Sequence, residues 1–196
     1  MTVTFFKIQL ILQIANFTHK WGGITNGIYM GLPGQIRTFV NMKNGIILFF
    51  AGAIMIMACY HLFLYINRRK EKASLYFGLF CGTVFFWYTF NGDYLFFRLF
   101  PGFPLGPGIR LHYVSIFGIL PLFLLFMHEV YPKQMHRLFT IVPVGISLGL
   151  ILFTLTAPVK LFGKYTLIPY YSLVVLSTGL VFVRIVRAFR DGRQSS

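Results

Sequence analysis

Five apolar runs, each close to the length of a bilayer crossing, constrain this chain more than any other feature. They lie at about 45–66, 73–90, 111–127, 138–156 and 167–183, separated by short segments rich in Arg, Lys, Gly and Pro. A helix needs roughly 20 mostly apolar residues to cross a hydrocarbon core of about 30 Å. Inside that core every backbone N–H and C=O must find a partner within the protein, and a helix supplies those partners locally. The runs therefore predict an all-α polytopic membrane bundle of five transmembrane helices.

Composition leaves little alternative. Of 196 residues, 57% are hydrophobic and only 11% charged, with a mean hydropathy of +0.72. A soluble domain carries about 25% charged residues, so this chain is too poor in charge to clothe a water-facing surface. A soluble enzyme and a disordered tail are both excluded.

The charge is one-sided: 18 Lys and Arg stand against 4 Asp and Glu, a net +14. The bases fall in small clusters between apolar runs rather than on one polar face, which is membrane-flanking charge and not a nucleic-acid patch. Segments 67–72, 132–137 and 184–196 carry ten Lys and Arg, whereas 91–110 and 157–166 carry four. By the positive-inside rule the first set is cytoplasmic. Five spans then place the amino terminus outside and the carboxyl terminus inside.

Residues 1–44 differ in character. Lys7–Ile14 alternates apolar and polar residues on a period of two, as a half-buried strand does, and Trp21–Gly23 and Thr25–Gly27 carry turn signals. Ile28–Met30 is expected to be a second strand. Gln9, Gln13 and Asn16 interrupt any secretory signal core. Two strands do not make a stable sheet alone, so the segment reads as a short β-rich remnant of a larger domain. The expected division is 1–44 for strands and linker, 45–190 for the membrane domain and 191–196 for a cytoplasmic tail.

Chemistry-bearing residues are sparse. No nucleotide-binding glycine motif or calcium loop occurs, and His128-Glu129 fails to become HExxH because position 132 is Pro. Catalytic, cofactor and metal residues are all expected to be absent. Cys59 and Cys81 lie singly in apolar runs and read as small buried hydrophobes. The ionisable residues in or beside spans are functional candidates by default. They are His61 with Tyr60 in the first span, His112 at the start of the third, and His128 with Glu129 at its end. A neutral His61 is expected to hydrogen-bond to another helix. Asp93, Arg98 and Arg110 form a candidate ion-pair group at the outer mouth. Gly78 with Gly82, and Gly145 with Gly149, are spaced for close helix packing within the chain, and a homodimer is left open. Pro121, Pro143 and Pro169 are expected to kink their spans. Trp87, Tyr88, Tyr94, Tyr170 and Tyr171 are assigned to an outer aromatic belt.

Several of these segments resemble one family. Tyr60–Gly78 (YHLFLYINRRKEKASLYFG), Arg110–Tyr113 and Pro121–Leu124 are similar to membrane segments of the bacterial seven-transmembrane receptors with diverse intracellular signalling modules. Gln13–Ile24 is similar to the closing strands of that family's extracellular β-sandwich, thought to resemble carbohydrate-binding modules. The resemblance implies a transmembrane sensor that relays an extracellular signal, with a carbohydrate as the ligand class, to a cytoplasmic output module such as a histidine kinase, diguanylate cyclase or phosphatase. Five spans against seven, a partial sandwich and no output module imply a truncated receptor. Its partners would be the lipid bilayer, the unknown extracellular ligand and the cytoplasmic module, with no nucleic acid. The alternative is a small membrane enzyme or transporter fragment using His61 or the His128–Glu129 pair.

Overall fold

The computed structural model describes residues 28–90, 96–97 and 100–194. Among the described residues the helices with stated bounds are α1 Pro33–Asn67, α2 Lys72–Phe90, α3 Leu105–Val130, α4 Arg137–Thr156, α5 Val159–Tyr165 and α6 Leu167–Gln194. All but α5 are long and apolar enough to cross a membrane. Neighbouring helices pack α1 on α2, α2 on α3 and α3 on α4, with α5 and α6 closing against α3 and α4. The turns at 68–71 and 131–136 and the last turns of α6 lie at one end, called the basic end below. The ends of α2, α4 and α6 that carry Phe90, Thr156 and Leu167 lie at the other, the far end.

The described residues contain no strand. Ile28–Met30, expected to be a strand, has no regular structure, and the Gly31 and Pro33 that follow lead directly into a helix. The expected strand at 7–14 lies outside the described residues.

Helices overrun the apolar runs because backbone hydrogen bonding does not stop where hydropathy does. Pro33 occupies the first turn of α1, where no amide donor is needed. Gln35–Asn44 contains no helix breaker, so α1 begins twelve residues before Gly45. Its 35 residues span about 52 Å at 1.5 Å per residue. The turn-rich segment before Leu111 is likewise partly helical. Pro104 is the residue before α3 and Pro107 falls in its first turn, where the missing N–H costs nothing. Pro169 sits in the first turn of α6 for the same reason and is no kink site. Pro121 and Pro143 do lie inside helices.

α3 is the central helix. Its Tyr113, Ile116, Phe117, Leu120 and Leu124 form the core with Phe162 of α5 and Tyr170 and Val181 of α6. Two buried hydroxyls bond within their own helices: Ser115 donates to Leu111 O and Thr154 to Leu150 O, each at 2.8 Å. Large apolar side chains such as Phe49, Ile56, Phe63, Leu152 and Val175 are exposed, forming the lipid-facing surface. Cys81 is buried as expected, whereas Cys59 lies on the exposed side of α1.

Candidate functional site

One polar contact joins α6 to α3. The Tyr170 hydroxyl donates to the carbonyl oxygen of Ile116 at 2.7 Å and accepts from the amide of Leu120 at 3.4 Å. These two backbone groups are the ends of one i, i+4 step, immediately before Pro121. A hydroxyl inserted there can hold a helix step that a neighbouring proline disturbs. The Tyr170 ring is 2% exposed and stands edge-on to Phe117, with centroids 4.8 Å apart. Tyr170 is therefore a core residue and not a member of the aromatic belt. Its neighbour Tyr171 is 51% exposed. A Tyr three residues into an apolar run carries no mark of this role; only the meeting of α6 with the Pro121 step reveals it.

Arg110, near the start of α3, forms the second interhelical junction. Its Nη1 donates to the carbonyls of Thr154 at 2.5 Å and Leu155 at 2.8 Å, and its guanidinium lies 5.8 Å from the Phe162 ring centroid. Those carbonyls belong to the last turn of α4, where no intrahelical donor remains and the helix dipole is negative. Arg110 thus caps α4 at the far end. Asp93, its expected ion-pair partner, and Arg98, the other cation of that group, lie outside the described residues. The 157–166 connection is largely the helix α5, whose Phe162 is fully buried and stacks edge-on against Tyr113 at 4.9 Å.

The remaining candidates lie at separate interfaces. His61 meets α2 through an aromatic contact, with its ring 4.6 Å from Phe77 and near-perpendicular to it. Its Nδ1 is buried with no hydrogen-bond partner, so the expected interhelical hydrogen bond at that nitrogen is absent. Phe77 continues the seam to Phe126 of α3 at 5.1 Å. Tyr60 is exposed beside His61, with ring centroids 5.2 Å apart. His128 in the last turn of α3 lies 3.3 Å from the Thr140 hydroxyl of α4, tying these helices at the basic end, while Glu129 is exposed. His112 is half-buried near the far end of α3, its ring edge-on to Tyr113 at 5.9 Å. Among the described residues no three His, Cys, Asp or Glu could hold a metal ion.

Glycine spacing is only half informative. A Cβ on Gly78 would lie 2.9 Å from Leu62 Cγ, so this glycine does set the α1–α2 approach, while Gly82, Gly145 and Gly149 have nothing within 4 Å. Gly118 permits the α2–α3 approach instead, where a Cβ would lie 3.0 Å from Thr83 Cγ2.

Five bilayer-length helices, with polar contacts that tie helix to helix, define a multi-pass membrane domain. Residues 43–196 match the family model described as 7TM diverse intracellular signalling, and the chain belongs to that family. It is a membrane sensor domain of the kind found in signalling receptors. No curated protein matches the chain, and no solved structure matches it.

Proposed function

We propose that this domain is the transducing part of a bacterial receptor that carries an extracellular signal to a cytoplasmic output module. The observation that carries the reading is the course of α6. It is pinned to α3 through Tyr170 and runs unbroken to Gln194, past the last apolar turn. Its 28 residues span about 42 Å, more than a hydrocarbon core of about 30 Å requires. A continuous helix of this kind transmits rotation or translation rigidly from the membrane to whatever follows it. The ten-to-four basic asymmetry supports placing that end in the cytoplasm. The carbohydrate ligand class rests on the resemblance of Gln13–Ile24.

The test is a hybrid with a diguanylate cyclase reporter behind Arg190, carrying one to seven inserted alanines at the junction. Output should oscillate with the helical period of about 3.6 residues. Output independent of insertion number would rule out rigid transmission by α6. The ligand class is checked separately, by titrating soluble oligosaccharides onto cells expressing the receptor from its native locus and following output. Silence across a broad panel removes the carbohydrate reading.

A further inference from the structure

Tyr170 holds the first turn of α6 to α3, but towards the basic end α6 stands off from α4. A cleft of about 520 Å³ separates them there. That volume falls in the range of roughly 300–1,000 Å³ typical of small-molecule sites. Its floor includes the buried Ser177 and Val181, and its walls include Leu138, Val142 and Leu176, each more than half exposed. The cleft therefore opens sideways, onto the surface that faces hydrocarbon. Arg184 lies at its basic end, with the guanidinium 4.2 Å from the Phe139 ring centroid and one bond of 3.4 Å to Gln134 O.

We propose that this cleft binds one anionic phospholipid from the leaflet at the basic end, an acyl chain between α4 and α6 and the phosphate against Arg184. Charge and depth carry the proposal. Arg184 is seventeen residues along α6 from Leu167, about 26 Å at 1.5 Å per residue, so its long side chain reaches the headgroup level of a core about 30 Å thick. Among the described residues the one ion pair is Arg68–Glu71, so Arg184 has no carboxylate partner there. Its guanidinium fork has further donors to offer a phosphate. A second donor lines the same cleft. His136 accepts from the Leu138 amide through Nδ1, which leaves Nε2–H as that ring's donor. His136 also precedes α4, whose N-terminal dipole favours an anion. The walls offer a water-soluble ligand almost no polar partner, and an apolar helix seated in the cleft would leave the Arg184 charge unanswered. An amphiphile with a negative headgroup satisfies both parts. Arginines near a bilayer surface commonly extend towards headgroups; Arg184 differs in lying over the Phe139 ring beside an apolar cleft.

The test uses the full chain purified in detergent and native mass spectrometry with dioleoyl phosphatidylglycerol, dioleoyl phosphatidylcholine and inorganic phosphate as probes. One phosphatidylglycerol should remain bound in preference to phosphatidylcholine. Arg184→Gln should weaken it about ten-fold, equivalent to about 1.4 kcal/mol, with Arg184→Lys intermediate. Val142→Trp, which fills the cleft from its open side, should displace both lipids. If that variant does not fold, the Gln and Lys pair decides the matter. Equal retention of the two lipids, indifference to Arg184→Gln, or competition by inorganic phosphate at matched concentration would overturn the proposal. So would a dimer that Val142→Trp dissolves, since a second copy would then occupy the cleft.

Discussion

The hydroxyl of Tyr170 on α6 bridges Ile116 O and Leu120 N of α3, one residue before Pro121. It is a cross-helix contact made to backbone, so the side chains of α3 do not determine it. Its partners lie in the turn of α3 just before Pro121, which has no amide donor of its own, and the contact ties the first turn of α6 to that turn.

Replacing Tyr170 with Phe keeps the ring against Phe117 and removes the bridge. Interhelical hydrogen bonds in membranes average about 0.6 kcal/mol, so the bundle should stay folded. The α6 helix should loosen, and reporter output at matched membrane abundance should change a few-fold. Tyr170→Phe with wild-type output, and wild-type distances between spin labels on α3 and α6, would show that the bridge positions nothing.

Gly78 and Gly82 make a matched pair. Gly78→Ala places a methyl 2.9 Å from Leu62 Cγ and should cost about 1–3 kcal/mol by overpacking. Gly82→Ala meets nothing within 4 Å and should be neutral or slightly stabilising, since alanine favours helix over glycine by about 0.8–1.0 kcal/mol. Unfolding titrations in mixed detergent micelles compare the two. Equal effects would contradict the α1–α2 packing.

Arg110→Lys retains the charge but replaces the Nη1 donor that reaches two carbonyls of α4 with a shorter side chain. Arg110→Met removes the cap altogether and should destabilise by about 1 kcal/mol, the net worth of hydrogen bonds to one part-buried and one exposed carbonyl. Lys should fall between wild type and Met. Hydrogen exchange along the last turn of α4 reports the loss locally, and unchanged protection in Arg110→Met would exclude the capping role.

His61 presents a different expectation. With Nδ1 buried and unpartnered, His61→Leu removes a polar atom that gains nothing from its site. The variant should be as stable as wild type or more stable by up to about 1 kcal/mol. A clear loss of stability in the same titration would show that the imidazole makes a contact leucine cannot replace.

Orientation is checked by cysteine accessibility in a Cys59→Ala, Cys81→Ala background. Lys70→Cys in the 68–71 turn should resist a membrane-impermeant thiol reagent in intact cells, and Gly106→Cys should label. The reverse pattern would invert the proposed topology and move the end of α6 to the outside.

The number and kind of the long helices were legible in the chain because both depend on local quantities. A run of about twenty apolar residues cannot leave its backbone groups unpaired in hydrocarbon, so each run becomes a helix wherever its neighbours lie. The helix ends were less legible, because Pro33, Pro104 and Pro107 mark breaks by composition, yet Pro33 and Pro107 sit comfortably in first turns and Pro104 just before one. Pairing was scarcely legible at all. In lipid, apolar surface gains little by turning from acyl chains to another helix, so shape and a few polar contacts choose the partners. That is why Gly78 meets Leu62 while Gly82 meets nothing, and why His61 faces Phe77 without a hydrogen bond. It is also why two adjacent tyrosines divide, Tyr170 into the core and Tyr171 towards the lipid. Residue type was the same; only the approach of α3 to α6 decided which hydroxyl found a backbone to hold.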